Sequence, residues 1–86
     1  MNLKSLTDAL PSNYSAQFKP ADDEAMDAEI AILLHDVETA WTIQCGHGYF
    51  CVNQNGYENG EFAWMDHHGE FRSLKAAAAK LSKLLA

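Results

Sequence analysis

The sequence is poor in positive charge, in cysteine and in long apolar runs. Its 86 residues include only six Lys and Arg and two cysteines. So few bases argue against a general nucleic-acid-binding protein, whose surface would carry a basic stripe. No apolar run approaches the roughly 18 residues of a membrane span, and the N-terminal segment lacks the charged-then-apolar order of a secretory signal. We therefore expect a soluble, cytoplasmic protein without membrane contact.

Catalytic motifs are missing as well. The sequence has no nucleophile elbow and no glycine-rich phosphate loop, because its five glycines stand at expected turns. Cys45 or Cys51 with a histidine and Asp66 would supply the residue types of a nucleophilic triad, but any small protein with four histidines meets that inventory. We therefore expect no enzymatic activity and no cofactor.

Negative charge is abundant and unevenly distributed. There are 12 Asp and Glu against the six bases, which gives a net charge of -6. Residues 20–71 contain 11 of these acids and no Lys or Arg, whereas residues 72–86 contain four bases and no acid. Most of the body should therefore carry negative potential, with the positive charge on one terminal element.

Apolar spacing predicts two helices in the first half of the chain. Leucines three and four residues apart predict a short helix that stops before Pro11, followed by a loop. In residues 22–37, acids precede an apolar stripe of helical period, which predicts an acidic helix. On this helix Ile32 falls opposite the stripe, among acids and small residues. It is either an exposed contact point or an aliphatic residue that is isolated or covered by the N-terminal segment.

In the second half the apolar period changes to two. Three aromatic-rich segments predict strands of an antiparallel meander, with turns at 46–48 and at the Asn-Gly dipeptides 55–56 and 59–60. After Ser73, a favourable N-cap, leucines and alanines form an apolar stripe with lysines outside it. This pattern predicts a C-terminal helix packed on the sheet.

The predicted fold is therefore α+β, with N-terminal helices, a three-stranded antiparallel meander and a C-terminal helix packed on the sheet. We expect one domain over residues 1–86. Its parts are a short helix plus loop (1–20), an acidic helix (21–38), the meander (39–72) and a basic amphipathic helix (73–86).

Two cysteines and three of the histidines form a potential zinc set: Cys45, His47, Cys51, His67 and His68. The spacing is poor, because the cysteines are six positions apart and the last two histidines are adjacent, so that they would point to opposite faces of a strand. We therefore expect no metal site, with the cysteines as core thiols and the histidines in turns. A disulfide is not expected in a cytoplasmic protein.

The acidic surface is the feature that points to a function. Carboxylates on a helix and on turns can occupy the positions of nucleic-acid phosphates in a partner's basic groove. In size and charge the chain resembles the broad class of phage or mobile-element inhibitors, including anti-CRISPR proteins and other nucleic-acid mimics. The resemblance implies a protein partner with a basic nucleic-acid-binding surface. The alternatives are a non-mimic interaction or assembly subunit, antitoxin-like or homodimeric, and a small zinc-binding domain.

The expected partner-binding residues form two groups. The first lies on the acidic helix and comprises Asp22, Asp23, Glu24, Asp27, Glu29, Ile32 and Asp36. The second lies along the edge of the meander and comprises Tyr57, Glu58, Glu61 and Glu70.

Overall fold

The computed structural model describes residues 3–21 and 28–86, which form five strands between two helices. The elements in chain order are α1 (Leu3–Ala9), β1 (Tyr14–Lys19), β2 (Ala28–Leu34), β3 (Val37–Cys45), β4 (Phe50–Glu58), β5 (Glu61–Phe71) and α2 (Leu74–Leu85). The strands form one antiparallel sheet in the order β1-β2-β3-β4-β5, so each strand pairs with its neighbours in the sequence. Within the described ranges, no helix is long and apolar enough to cross a membrane.

The three-stranded meander predicted from the sequence is wrong, because the sheet has two further strands. β1 lies in the segment expected to be a loop, and β2 lies in the segment expected to be the acidic helix. The centre of β2 is an apolar run, and Ile30, Ala31 and Ile32 are all buried. A strand buried on both faces has such a continuous run, whose residues also match helical spacing. Residues 22–27 of the expected helix lie outside the described residues.

The two residues that form the turn between β2 and β3 do not include a glycine. His35 and Asp36 have φ angles of 51° and 64°, as a two-residue hairpin turn of type I′ requires. Asp and His are among the few non-glycine residues that are enriched at positive φ. The turn at Asn59 and Gly60 is confirmed, with φ angles of 53° and 81°.

The second expected Asn-Gly turn is wrong, since Asn55 and Gly56 lie inside β4. Glycine is required at position 56 for a different reason. The indole of Trp64, its cross-strand partner, lies directly on the backbone, and a Cβ atom at this position would overlap the ring. The glycine thus serves a close contact within the sheet.

Both helices pack on one face of the sheet. Ile30, Ile43 and Val52 are cross-strand neighbours on that face and are completely buried. α1 lies against β1, and α2 lies against β4 and β5. The buried core comprises Leu6, Leu10, Ile30, Ile32, Ile43, Val52, Ala77, Ala78 and Leu81.

Two helix predictions are confirmed, at the two ends of the chain. α1 buries Leu6, and α2 buries Ala77, Ala78 and Leu81. The Oγ atom of Ser73 accepts a hydrogen bond from the Ala76 amide at 3.1 Å, so Ser73 is the N-cap of α2. This bond satisfies one of the amide groups that a helix start leaves without a partner.

Candidate functional site

The face of the sheet that points away from α1 and α2 carries an ordered polar centre, and we call it the open face. Ala31, Thr42, Asn53 and His67 form a row of cross-strand neighbours across four strands. Thr42 and Asn53 are 8% and 2% exposed although no described helix covers them. The open face is therefore a packed surface with fixed polar groups.

Three large apolar side chains are exposed on the open face near the turn of the β4–β5 hairpin. Tyr57, Phe62 and Met65 are 59%, 58% and 49% exposed, and we call them the hairpin patch. Tyr57 and Phe62 are cross-strand partners whose rings meet edge to face, with centroids 6.2 Å apart. A bulge between Gly56 and Tyr57 shifts the register and places Phe62 and Met65 on the same face.

Two acids stand beside the hairpin patch. Glu58 and Glu61 are direct cross-strand partners on either side of the turn. Like charges in this arrangement repel and destabilise a hairpin. Within the described ranges neither carboxylate forms an ion pair with a base. Because side chains alternate along a strand, both carboxylates point away from the open face. The end of the hairpin therefore presents unneutralised negative charge on one face and exposed aromatic rings on the other.

One ion pair does lie on the open face, between Lys19 of β1 and Glu38 of β3. The hydrogen bond to Glu38 raises the pKa of Lys19; burial acts in the opposite direction, and the negative charges of Glu38 and Glu29 add to the increase. Lys19 is therefore protonated at neutral pH and neutralises Glu38. It is the single base in the five strands, which carry six acids within their described bounds.

A second group of functional side chains lies towards the other end of β5. Cys51, His67 and Glu70 each offer one metal-ligating atom, and these atoms lie within 4.8 Å of one another. The register between β4 and β5 shifts between Cys51 and Asn53, because β5 has one extra residue there. The bulge allows His67 and Glu70, three positions apart, to share the open face with Cys51. Cys51 is buried and the other two side chains are exposed.

A buried amide orients the imidazole of His67. The Nδ1 atom of His67 lies 2.9 Å from Oδ1 of Asn53, and the Nδ2 atom of Asn53 donates to Oε1 of Gln44 at 3.5 Å. Because Oδ1 can only accept, this assignment of the amide requires a proton on Nδ1. In the neutral imidazole the lone pair then lies on Nε2. Gln44 and Asn53 hold one ring orientation and one tautomer.

The zinc set considered from the sequence is not assembled. Cys45 packs against the helix-covered core, and His47 is exposed in the turn between β3 and β4. His68 lies beside Trp41, with ring centroids 5.0 Å apart. His67 and His68 are inside β5, so their expected place in a turn is wrong. Both cysteines are thiols and form no disulfide. The structure instead brings Cys51 and His67 together with Glu70, which was expected from the sequence to bind a partner protein.

The described part of the segment expected to carry a partner-binding acidic helix is a strand and a turn instead. Glu29 is part of β2, and Asp36 lies in the turn before β3. Ile32, the expected exposed contact point, is completely buried in the core because it faces the helices from the middle of the sheet. The remaining members, Asp22, Asp23, Glu24 and Asp27, lie outside the described residues.

The second expected group is divided between two places. Tyr57, Glu58 and Glu61 lie together at the hairpin turn, beside Phe62. Glu70 lies near the other end of β5, opposite Cys51. Charge and turn patterns suffice to predict the hairpin end. The metal-ligating cluster depends on the bulge, for which Gly69 is the only local signal, with a φ angle of 126°.

Comparison with known proteins identifies no relative of this chain: no protein-family model, curated protein or solved structure matches it. Its function is therefore inferred from the side chains of the open face.

Proposed function

We propose that this chain is a small acidic protein-binding module that docks through the end of its β4–β5 hairpin. The observation that carries the proposal is the hairpin patch, in which Tyr57, Phe62 and Met65 are about half exposed on one face. Aromatic residues and methionine are enriched in protein interfaces, and aromatic residues often dominate the binding energy. The patch occupies one compact position next to a tight turn, which keeps its backbone well defined.

The negative charges at the end of the hairpin indicate that the partner carries positive charge. Glu58 and Glu61 repel one another, and a cation between them would remove that repulsion. Arginine fits this end of the hairpin best, because one guanidinium can bind the carboxylates on their face and another can stack on the rings of Tyr57 and Phe62 on the open face. The preferred partner is thus a protein with an arginine-rich surface.

Arginine-rich surfaces are typical of nucleic-acid-binding proteins, and this leads to a finer proposal. The module acts as an inhibitor, comparable to anti-CRISPR and other phage inhibitors, by covering the surface on which its partner binds nucleic acid. The net charge of -6 supports fast, salt-sensitive association with such a surface.

A homodimer through the same patch is less favourable. In a two-fold symmetric interface the same surface faces itself, so the hairpin ends of both copies, each of which carries Glu58 and Glu61, would lie side by side. The charge arrangement therefore favours a different protein as the partner over a second copy of the chain.

A capture experiment with a salt series tests this function. The immobilised chain is exposed to lysate at about 50 and about 300 mM NaCl, since screening over this range weakens exposed charge pairs. We expect the captured protein to bind nucleic acid, to be lost at the higher salt concentration and to be displaced by added DNA. Replacing Tyr57→Ser and Phe62→Ser together should lower the affinity at least tenfold, because the apolar contact is lost.

Phe18→Ser is the matched control, because Phe18 is also exposed but lies on β1 and on the other face. This variant should bind like the original chain. The proposal is contradicted if capture ignores salt and DNA, or if the Phe18 variant loses as much affinity as the double variant.

A further inference from the structure

The cluster of Cys51, His67 and Glu70 takes no part in docking through the hairpin patch. It lies on the same open face but towards the opposite end of β5. Its three side chains come from two adjacent strands of a paired sheet, which fixes their backbone positions. An exposed acid and an exposed histidine are common on protein surfaces, but here both converge on a buried thiol.

The spacing of the ligating atoms suits a metal ion. They lie within 4.8 Å of one another. Around a tetrahedral zinc ion with bonds of 2.0 to 2.3 Å, ligating atoms are about 3.3 to 3.8 Å apart. Rotation of the exposed Glu70 side chain, with a small shift of the His67 ring that keeps its hydrogen bond to Asn53, can supply the difference of about 1 Å.

The chemical types of the three ligating atoms indicate which metal ion fits the site. A thiolate, an imidazole and a carboxylate together match zinc, which binds sulfur, nitrogen and oxygen. Calcium and magnesium prefer oxygen ligands alone and would leave the thiol of Cys51 unused. We propose that Cys51, His67 and Glu70 bind one zinc ion on the open face, with a fourth position filled by water. Binding converts the Cys51 thiol to a thiolate and releases one proton to the solvent.

The surroundings of His67 support this assignment. Metal-ligating histidines generally donate their second ring N–H to a neighbouring acceptor. Asn53 supplies that acceptor at 2.9 Å, and it is 2% exposed and bonded in turn to Gln44. With Nδ1 bonded to Asn53, Nε2 of the neutral ring is the nitrogen left to bind the metal. Asn53 acts as a positioning residue and does not bind the metal itself.

Metal titration of the full chain, prepared without a histidine tag and stripped with a chelator, tests the proposal. Elemental analysis after zinc addition and dialysis should give one zinc ion per chain. Cobalt should produce a near-ultraviolet thiolate-to-metal charge-transfer band, which reports directly on a cysteine ligand. Cys51→Ser should abolish that band, and His67→Gln and Glu70→Gln should each weaken zinc binding by about tenfold or more.

The chain offers a matched control for two of these variants. Cys45→Ser removes the other thiol and His68→Gln removes the adjacent histidine, and both residues lie away from the cluster. Both variants should retain the cobalt band and the affinity for zinc. The site is disproved if the folded original chain gives no band, or if Cys45→Ser abolishes the band and Cys51→Ser does not. If Cys51→Ser does not fold, unchanged zinc affinity in both His67→Gln and Glu70→Gln disproves it.

Discussion

Single residues at uncommon backbone angles decide where this sheet turns. His35 and Asp36 both adopt positive φ without the freedom of glycine, whereas the equivalent turn of the β4–β5 hairpin uses Asn59 and Gly60. The left-handed region destabilises an L-residue by about 1 kcal/mol through steric contacts. Aspartate and histidine occur there more often than most other side chains. The His-Asp turn therefore holds β2 against β3 at some expense of stability.

Replacing this pair by His35→Asn and Asp36→Gly should stabilise the protein. Asn-Gly is the preferred sequence of a type I′ turn, and we expect a gain of about 0.5 to 1 kcal/mol in the free energy of unfolding. Urea denaturation followed by circular dichroism measures it. Gly60→Ala, at a φ angle of 81°, is the reverse experiment and should destabilise the fold. An unchanged midpoint for the first variant would show that the native turn is not strained.

At the scale of elements, the two terminal helices and the last three strands could be predicted from the sequence, whereas β1 and β2 could not. α1 and α2 have one apolar stripe each, so period and burial agree. β2 is buried on both faces, and its run of apolar residues satisfies helical spacing as well as strand burial. The hairpin at residues 35–36 would have excluded a helix, but it lacks the glycine that marks such turns.

The same reasoning applies to the functional side chains. Tyr57, Glu58 and Glu61 flank an Asn-Gly turn, so their proximity could be predicted from the sequence alone. His67 and Glu70 are three positions apart, and regular alternation would place them on opposite faces. Only the bulge reverses this, and a bulge depends on pairing between strands rather than on local sequence.

The N-cap residue Ser73 should contribute measurably to the stability of α2. Ser73→Ala removes the acceptor of the Ala76 amide and should cost about 1 kcal/mol, which lowers Tm by about 4 to 8 °C in a chain of this size. Differential scanning calorimetry measures the change. Ser73→Asp retains an acceptor and should restore stability. A Tm equal to that of the original chain in the alanine variant would contradict a role for the cap.

Among the described residues, the bases of α2 and half of the six acids of the strands lie on opposite sides of the sheet. The bases of α2 lie in the helical layer, and its first and last lysines, Lys75 and Lys83, are exposed. The open face on the other side of the sheet holds Glu29, Glu38 and Glu70, with Lys19 as their counter-charge. Within the described ranges the lysines of α2 form no ion pair. Within the described residues, the basic helix therefore does not neutralise the acidic sheet by direct pairing.

This arrangement gives salt opposite effects on folding and on docking. Screening reduces repulsion among the acids of the sheet, so Tm should rise by a few degrees between about 20 and 300 mM NaCl. Over the same range the affinity for a basic partner should fall. Thermal scans and binding titrations in the same buffers measure both quantities. A parallel loss of stability and affinity would mean that salt acts by unfolding the chain.

The bulges of β5 also affect how the protein behaves at high concentration. β5 is an edge of the sheet, and its pairing with β4 is interrupted in two places, so that the longest regular stretch covers residues 64–67. A long, aromatic, uninterrupted edge would be a template for strand addition by a second chain and hence for fibril growth. The bulge that brings the thiol, imidazole and carboxylate together, and the one that shapes the hairpin patch, thus also protect the exposed edge from self-assembly.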